Sequence, residues 1–128
     1  MDESTVQQNV QLEARRFNCT LMRNNSGAFK DETGRLVRYG LGNISKKHND
    51  QIASSDLIGI TKIKITPDMV GKEIGVFTAI EVKRSDWNVN KKLDDHEKAQ
   101  LAFINWVRSL GGFAGFANSI DNVKNILK

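Results

Sequence analysis

The stretch Val76-Phe77-Thr78-Ala79-Ile80-Glu81-Val82-Lys83 decides how this chain is read. Its apolar first half predicts a largely buried strand, which ends in two charges that a core does not accept without a purpose. Glu81 and Lys83 stand two residues apart, so on a strand their side chains leave the same face. Upstream, Ser55 precedes a second apolar run, Asp56-Leu57-Ile58-Gly59-Ile60. Two strands are predicted, Asp56 to about Ile65 and Ile74 to Lys83, joined through Thr66-Pro67-Asp68-Met69-Val70-Gly71-Lys72. Paired as an antiparallel hairpin, they bring Asp56 beside Glu81 and Lys83. Two carboxylates and a lysine so placed could hold a divalent cation and a water against a phosphodiester.

Downstream, Arg84 to Lys92 reads as a polar loop containing Trp87, with Lys91 and Lys92 at its end. Asp94 to Leu110 is the strongest helix pattern, with Ala99, Phe103, Trp106, Val107 and Leu110 at helical spacing and Gly111-Gly112 as its stop. Gln100 lies three residues before Phe103 and four before Ile104, so it faces partly inward. Phe113 to Ala117 is a short strand, and Ser119 is placed to cap a final helix carrying Ile120, Val123, Ile126 and Leu127.

Upstream, Ser4 to about Arg16 predicts a helix. Val6, Val10 and Phe17 form its apolar stripe, with Gln7, Gln8, Gln11 and Arg15 on the wet side. Glu13 falls on the apolar stripe, where a carboxylate needs a cation, a metal or water unless it reaches solvent at an edge. Phe17 to Met22 reads as a strand, and Phe29 to Tyr39 as a hairpin turning at Asp31-Glu32-Thr33-Gly34. Gly40 to Ser54, with Lys46, Lys47 and His48, reads as a loop. His48 and His96 lack partners at metal-ligand spacing and are expected at the surface. The sequence of elements predicts an α/β fold in which helices cover a mixed sheet.

The 128 residues suit one domain. The charge is +4, mildly basic, which favours polyanions without demanding them. A lone Cys19 excludes an internal disulfide and a multi-cysteine zinc site. No apolar run approaches the ~18 residues of a membrane span, and the polar start Met1-Asp2-Glu3-Ser4 is unlike a secretory signal. A cytoplasmic protein without a membrane partner is expected.

Asp56, then Glu81-Val82-Lys83, then Gln100 on a helix that ends at Gly111-Gly112 before a short strand resembles the VRR-NUC branch of the PD-(D/E)XK nuclease superfamily. The likeness runs from Ser54 to about Ser119, with an acid-bearing helix before it. It departs from the family in one place, since Ser55 stands where the family's proline precedes the Asp. That proline shapes a turn and does not touch metal.

The resemblance implies a single domain with a restriction-endonuclease-like core, a mixed sheet flanked by helices. It implies a metal-dependent endonuclease hydrolysing DNA phosphodiesters. Asp56, Glu81 and the Val82 carbonyl would hold Mg²⁺ or Mn²⁺, with Glu13 contributing through a water or a second ion. Lys83 and Gln100 would position the water or stabilise the phosphate. Stand-alone domains of this kind resemble phage and bacterial homodimers acting on branched DNA such as four-way (Holliday) junctions. Arg84, Lys91, Lys92, Trp87, Lys46 and Lys47 are the candidate DNA contacts, and Trp106 with Phe113 to Phe116 the candidate dimer surface. Two alternatives stay open: a non-catalytic DNA-binding module of the same fold, and a nuclease preferring a flap, nicked or single-stranded DNA. For Trp87 the alternative is a lid over the core. For Gln100 it is a buried amide satisfied by backbone, and for Glu81 and Lys83 a salt bridge at a strand end.

Overall fold

The computed structural model describes residues 2–88 and 90–127, a mixture of helices and short strands of the α/β class. They form two compact units, and the division falls between Gly59 and Ile60.

In the first unit, helix α1 (Glu3–Ala14) starts at Asp2, whose Oδ1 accepts the Thr5 N–H at 2.8 Å. A 3₁₀ turn, Arg15–Phe17, follows, and Asn18 in the left-handed region (φ 59°) turns the chain into β1 (Cys19–Arg23). The face of α1 that is partly covered carries Gln7, Gln11 and Ala14, while Val6 and Val10 are each 44% exposed. The expected apolar stripe is thus not the packed one. Gln11 explains the inversion: its amide donates to the Leu21 carbonyl of β1 at 3.2 Å.

β2 (Gly27–Lys30) and β3 (Leu36–Tyr39) form the expected antiparallel hairpin, from Gly27 opposite Tyr39 to Lys30 opposite Leu36. Asp31 ties the turn by accepting from Thr33 N at 2.9 Å, Thr33 Oγ1 at 2.7 Å and Arg35 N at 2.9 Å. The segment read as a loop holds a short helix, α2 (Lys46–Gln51), which Ser45 caps through the His48 N–H at 3.1 Å. Six polar residues give no apolar periodicity, so only the cap could have announced it.

β4 (Leu57–Thr61) spans the division and pairs with β1. The approach requires glycine: a Cβ at Gly59 would stand 1.9 Å from the Thr20 carbonyl oxygen.

In the second unit, a 3₁₀ turn at Pro67–Met69 precedes β5 (Thr78–Val82). Helix α3 (Asp95–Ser109) then crosses over to β6 (Phe113–Ala117). β5 and β6 are parallel, with Thr78 opposite Phe113, Glu81 opposite Phe116 and Val82 opposite Ala117. A parallel pair needs such a crossover, and α3 supplies it. Its start is a capping box: Asp94 Oδ1 accepts the Glu97 N–H at 2.7 Å, and Glu97 Oε1 accepts the Asp94 N–H at 3.1 Å. Its end is turned by Gly111 at φ 88°. A 3₁₀ turn (Ile120–Asn122) and the short α4 (Val123–Ile126) close the unit, with Ser119 at the expected cap position.

The core of this unit gathers Ile60, Ile104, Val107 and Ala114, with Phe77, Ala79, Trp106, Leu110 and Phe116 packed around them. On β6, Phe113 and Phe116 are half-buried, with Ala114 and Gly115 buried between them. Trp106 is half-buried and packs its ring on Phe103, 5.7 Å between centroids.

The antiparallel hairpin between the two acid-bearing strands is replaced by other pairings. β4 takes β1 and β5 takes β6. Both strands are also shorter than predicted, because Ile63, Ile65, Ile74 and Val76 lie exposed and outside any ladder. Alternating apolar and charged residues at Lys62-Ile63-Lys64-Ile65 satisfy a strand pattern without securing a partner. Among the described residues no helix is long and apolar enough to cross a membrane.

Candidate functional site

β5 delivers Glu81 and Lys83, both half-buried, while Val82 between them is 75% exposed. The backbone at Lys83 is fixed by its N–H, which donates to the Ala117 carbonyl at 2.8 Å. From α3, Gln100 reaches between the two charges. Its Nε2 donates to Glu81 Oε1 at 2.7 Å, and its Oε1 accepts from Lys83 Nζ at 2.7 Å. The acid and the lysine are thus joined through an amide and form no ion pair with each other. This differs from both plain alternatives, a strand-end salt bridge and a glutamine satisfied by backbone. The second oxygen of Glu81 has no protein partner among the described residues, and the ammonium has hydrogens to spare.

A cleft of about 450 Å³ opens beside this group, lined by Ala79, Ile80, Glu81, Ala99, Gln100, Phe103 and Ile104. Its walls are apolar and its polar end is the Glu81–Gln100 pair, a pattern typical of sites that orient a ligand by a few polar atoms.

On the other side of Lys83 stand two aromatic rings. The ammonium lies 5.6 Å from the Trp87 centroid and 5.6 Å from the Phe116 centroid, within cation–π range. The rings themselves meet at 4.7 Å, tilted by 43°. The Trp87 indole N–H donates to Glu97 Oε2. Trp87 is therefore half-buried in the lid arrangement, its ring and its N–H both engaged.

Glu97 was not singled out from the sequence. Two signals could have found it: the Asp94-x-x-Glu97 capping pattern, and the need of a buried indole N–H for an acceptor. The residue as a whole is only 8% exposed. The Asp94 backbone N–H, then the Trp87 indole, hold its carboxyl below the usual range, and the nearby Lys83 charge adds to the effect.

The other candidates have surroundings of their own. Asp56 belongs to the first unit. It is exposed, its backbone carbonyl accepts the Asn24 N–H at 2.8 Å, and its carboxylate has no protein partner among the described residues. Asn24 also donates through its side chain to Ser54 Oγ at 3.0 Å and the Ser55 carbonyl at 2.8 Å, which fixes the backbone that carries Asp56. Glu13, in the same unit, is exposed and paired with Arg16 at 2.8 Å, so its charge already has a partner.

Of the basic candidates, Arg84 is held by Asp86 through contacts of 3.1 and 2.7 Å, which raises the guanidinium and lowers the Asp86 carboxyl. Lys46 lies 3.9 Å from Asp50. Lys47, Lys91 and Lys92 are exposed and form no ion pair among the described residues. His96 is exposed and His48 half-buried. No group of three or more His, Cys, Asp or Glu placed to hold a metal ion occurs among the described residues.

No protein-family model matches the chain, and no curated protein or solved structure matches it either.

Proposed function

We propose that this chain is a divalent-metal-dependent DNA endonuclease with a restriction-endonuclease-like core, of the VRR-NUC type within the PD-(D/E)XK nucleases. What carries the reading is the Glu81–Gln100–Lys83 chain of hydrogen bonds. A purely structural strand end would cancel its charges directly. Here an amide holds them apart, leaving one carboxylate oxygen and the ammonium hydrogens for a ligand.

Among the described residues, Glu81 offers a half-buried carboxylate oxygen without a protein partner, the donor type that a hard cation such as Mg²⁺ or Mn²⁺ takes. The Val82 carbonyl would complete the set on β5. Asp56 enters on the resemblance, with an unengaged carboxylate in its favour, and Glu13 on the resemblance alone. When bound, the ion makes a water nucleophilic near neutral pH and stabilises charge on the phosphate. Lys83, held by Gln100, points a fixed positive charge at the developing phosphorane and orients the water. Gln100 keeps both charged groups in register, so that neither collapses on the other.

Lys91, Lys92 and Lys47, without ion pairs among the described residues, are the leading contacts to DNA phosphates, with Arg84 and Lys46 after them. A single site cuts one strand, so paired cuts in a branched substrate call for a homodimer. Cleavage of labelled four-way junction, flap, nicked and linear DNA with Mg²⁺, Mn²⁺ or chelator tests the proposal. Metal-dependent cutting, strongest on the junction, is expected. Binding without cutting on every substrate would instead favour the non-catalytic module.

A further inference from the structure

We propose that Trp87 and Glu97 are positioning residues for Lys83: Glu97 clamps the indole against Phe116, and the two rings form a wall that holds the ammonium at Gln100. The inference rests on the nuclease reading for its kinetic consequence, but the clamp itself stands on geometry.

A lysine side chain has four rotatable bonds, and one hydrogen bond to Gln100 does not fix them all. The wall removes the alternatives on one side. Trp87 follows Lys83 by four residues, in a loop that would wander unless it were tied. It is tied at several points. Asn118 donates to the Trp87 carbonyl at 2.9 Å and the Ser85 carbonyl at 3.4 Å, and the Trp87 backbone N–H donates to the Arg84 carbonyl at 2.9 Å. These contacts fix the backbone but leave the ring free to rotate. The indole bond to Glu97 sets the ring, and the 4.7 Å contact with Phe116 confines it.

Glu97 has more than its capping duty. A capping-box glutamate needs one oxygen for the helix N-terminus, and Oε1 does that work at Asp94. The other oxygen is spent on Trp87, at a position only 8% exposed. The same carboxylate lies within the field of Lys83. The helix start, the loop and the lysine are thus coupled through one side chain.

The test follows the Lys83 ammonium directly by ¹⁵N–¹H NMR on the full chain, beside junction cleavage with Mg²⁺. A held ammonium exchanges slowly enough to give a resolved signal, assigned by its loss in Lys83→Arg. Trp87→Leu is expected to merge that signal with water and to lower kcat about ten- to a hundredfold, with KM changed less than about threefold. Trp87→Phe keeps a ring but loses the N–H that Glu97 holds, and is expected to weaken the signal and lower kcat about fivefold, less than Trp87→Leu does. Should Trp87→Leu fail to fold, Glu97→Gln carries the test, with a weakened signal and a kcat loss of about fivefold expected. No resolved Lys83 signal in the wild type overturns the proposal. So does a folded Trp87→Leu or Glu97→Gln variant whose signal and kcat are unchanged. A signal that responds to these variants in a protein that cuts no DNA upholds the clamp and removes the nuclease reading.

Discussion

Lys83 Nζ lies 2.7 Å from Oε1 of Gln100, across the gap between β5 and α3. The same amide gives its N–H to Glu81 at 2.7 Å, so one side chain orders the whole polar end of the cleft. Removing it has a defined result. In Gln100→Ala the lysine and the acid are free to meet, and the turnover of the proposed nuclease should fall about tenfold. Lys83→Ala should cost far more, so the ratio of the two rates measures how much of the effect is orientation. An unchanged rate in Gln100→Ala would return this residue to a packing role.

Stability should follow Glu97 in acid. Its carboxyl sits below the ordinary 4.5, first through the Asp94 N–H. A depressed carboxyl stabilises the fold above its unfolded value, and the benefit is lost as pH falls through the folded one. Glu97→Gln does not titrate, so its Tm deficit should be widest near pH 7 and narrow below about pH 4.5. A deficit that stays constant down to about pH 3 would mean that the carboxylate charge contributes nothing.

Much of this was legible in the sequence. Phe103, Trp106, Val107 and Leu110 with the two glycines after them located α3, and the Asp31 turn located the β2–β3 hairpin, because each is a local pattern with a local cause. Strand pairing was not. The alternation around Ile80 says which residues share a face, but a partner 35 residues away in the register Ile80–Gly115 leaves no mark in it. The stripe on α1 misled for a related reason. Nothing in Val6 and Val10 reveals that Gln11 finds a strand carbonyl to bond. In the site, residue types on β5 and α3 could be read, whereas the Glu97–Trp87 contact joins a helix cap to a loop and depends on the fold to bring them together.

The close approach of β4 to β1 predicts a steep penalty at one position. Gly59→Ala would set a methyl 1.9 Å from the Thr20 carbonyl oxygen, and backbone cannot swing aside as a side chain does. A loss of about 3 kcal/mol or more is expected in urea melts. Near-native stability would show that β1 and β4 can separate without cost.

Ile104 is 3% exposed in the small core beneath β6. Ile104→Ala should cost about 2–5 kcal/mol, a large share of what a domain this size can hold. Urea denaturation measures it directly.

If DNA lies along the loop after β5, Lys91 and Lys92 release counterions on binding. Replacing both with Ala should reduce the slope of log K against log salt by about 1.8, since each phosphate contact contributes about 0.9. Arg84→Ala should change the slope less, because Asp86 already neutralises that guanidinium. Equal slopes for wild type and the double variant would place the DNA elsewhere.

The central claim, that Glu81, Gln100 and Lys83 form a phosphodiester-cleaving group, is tested most directly by single-turnover cleavage of a labelled four-way junction with Mg²⁺. Wild type and Lys83→Ala are compared at matched fractional binding. The account predicts metal-dependent cutting by the wild type, and a rate reduced at least about a hundredfold in the variant with DNA affinity changed less than about threefold. Equal cutting rates in the two proteins would contradict it.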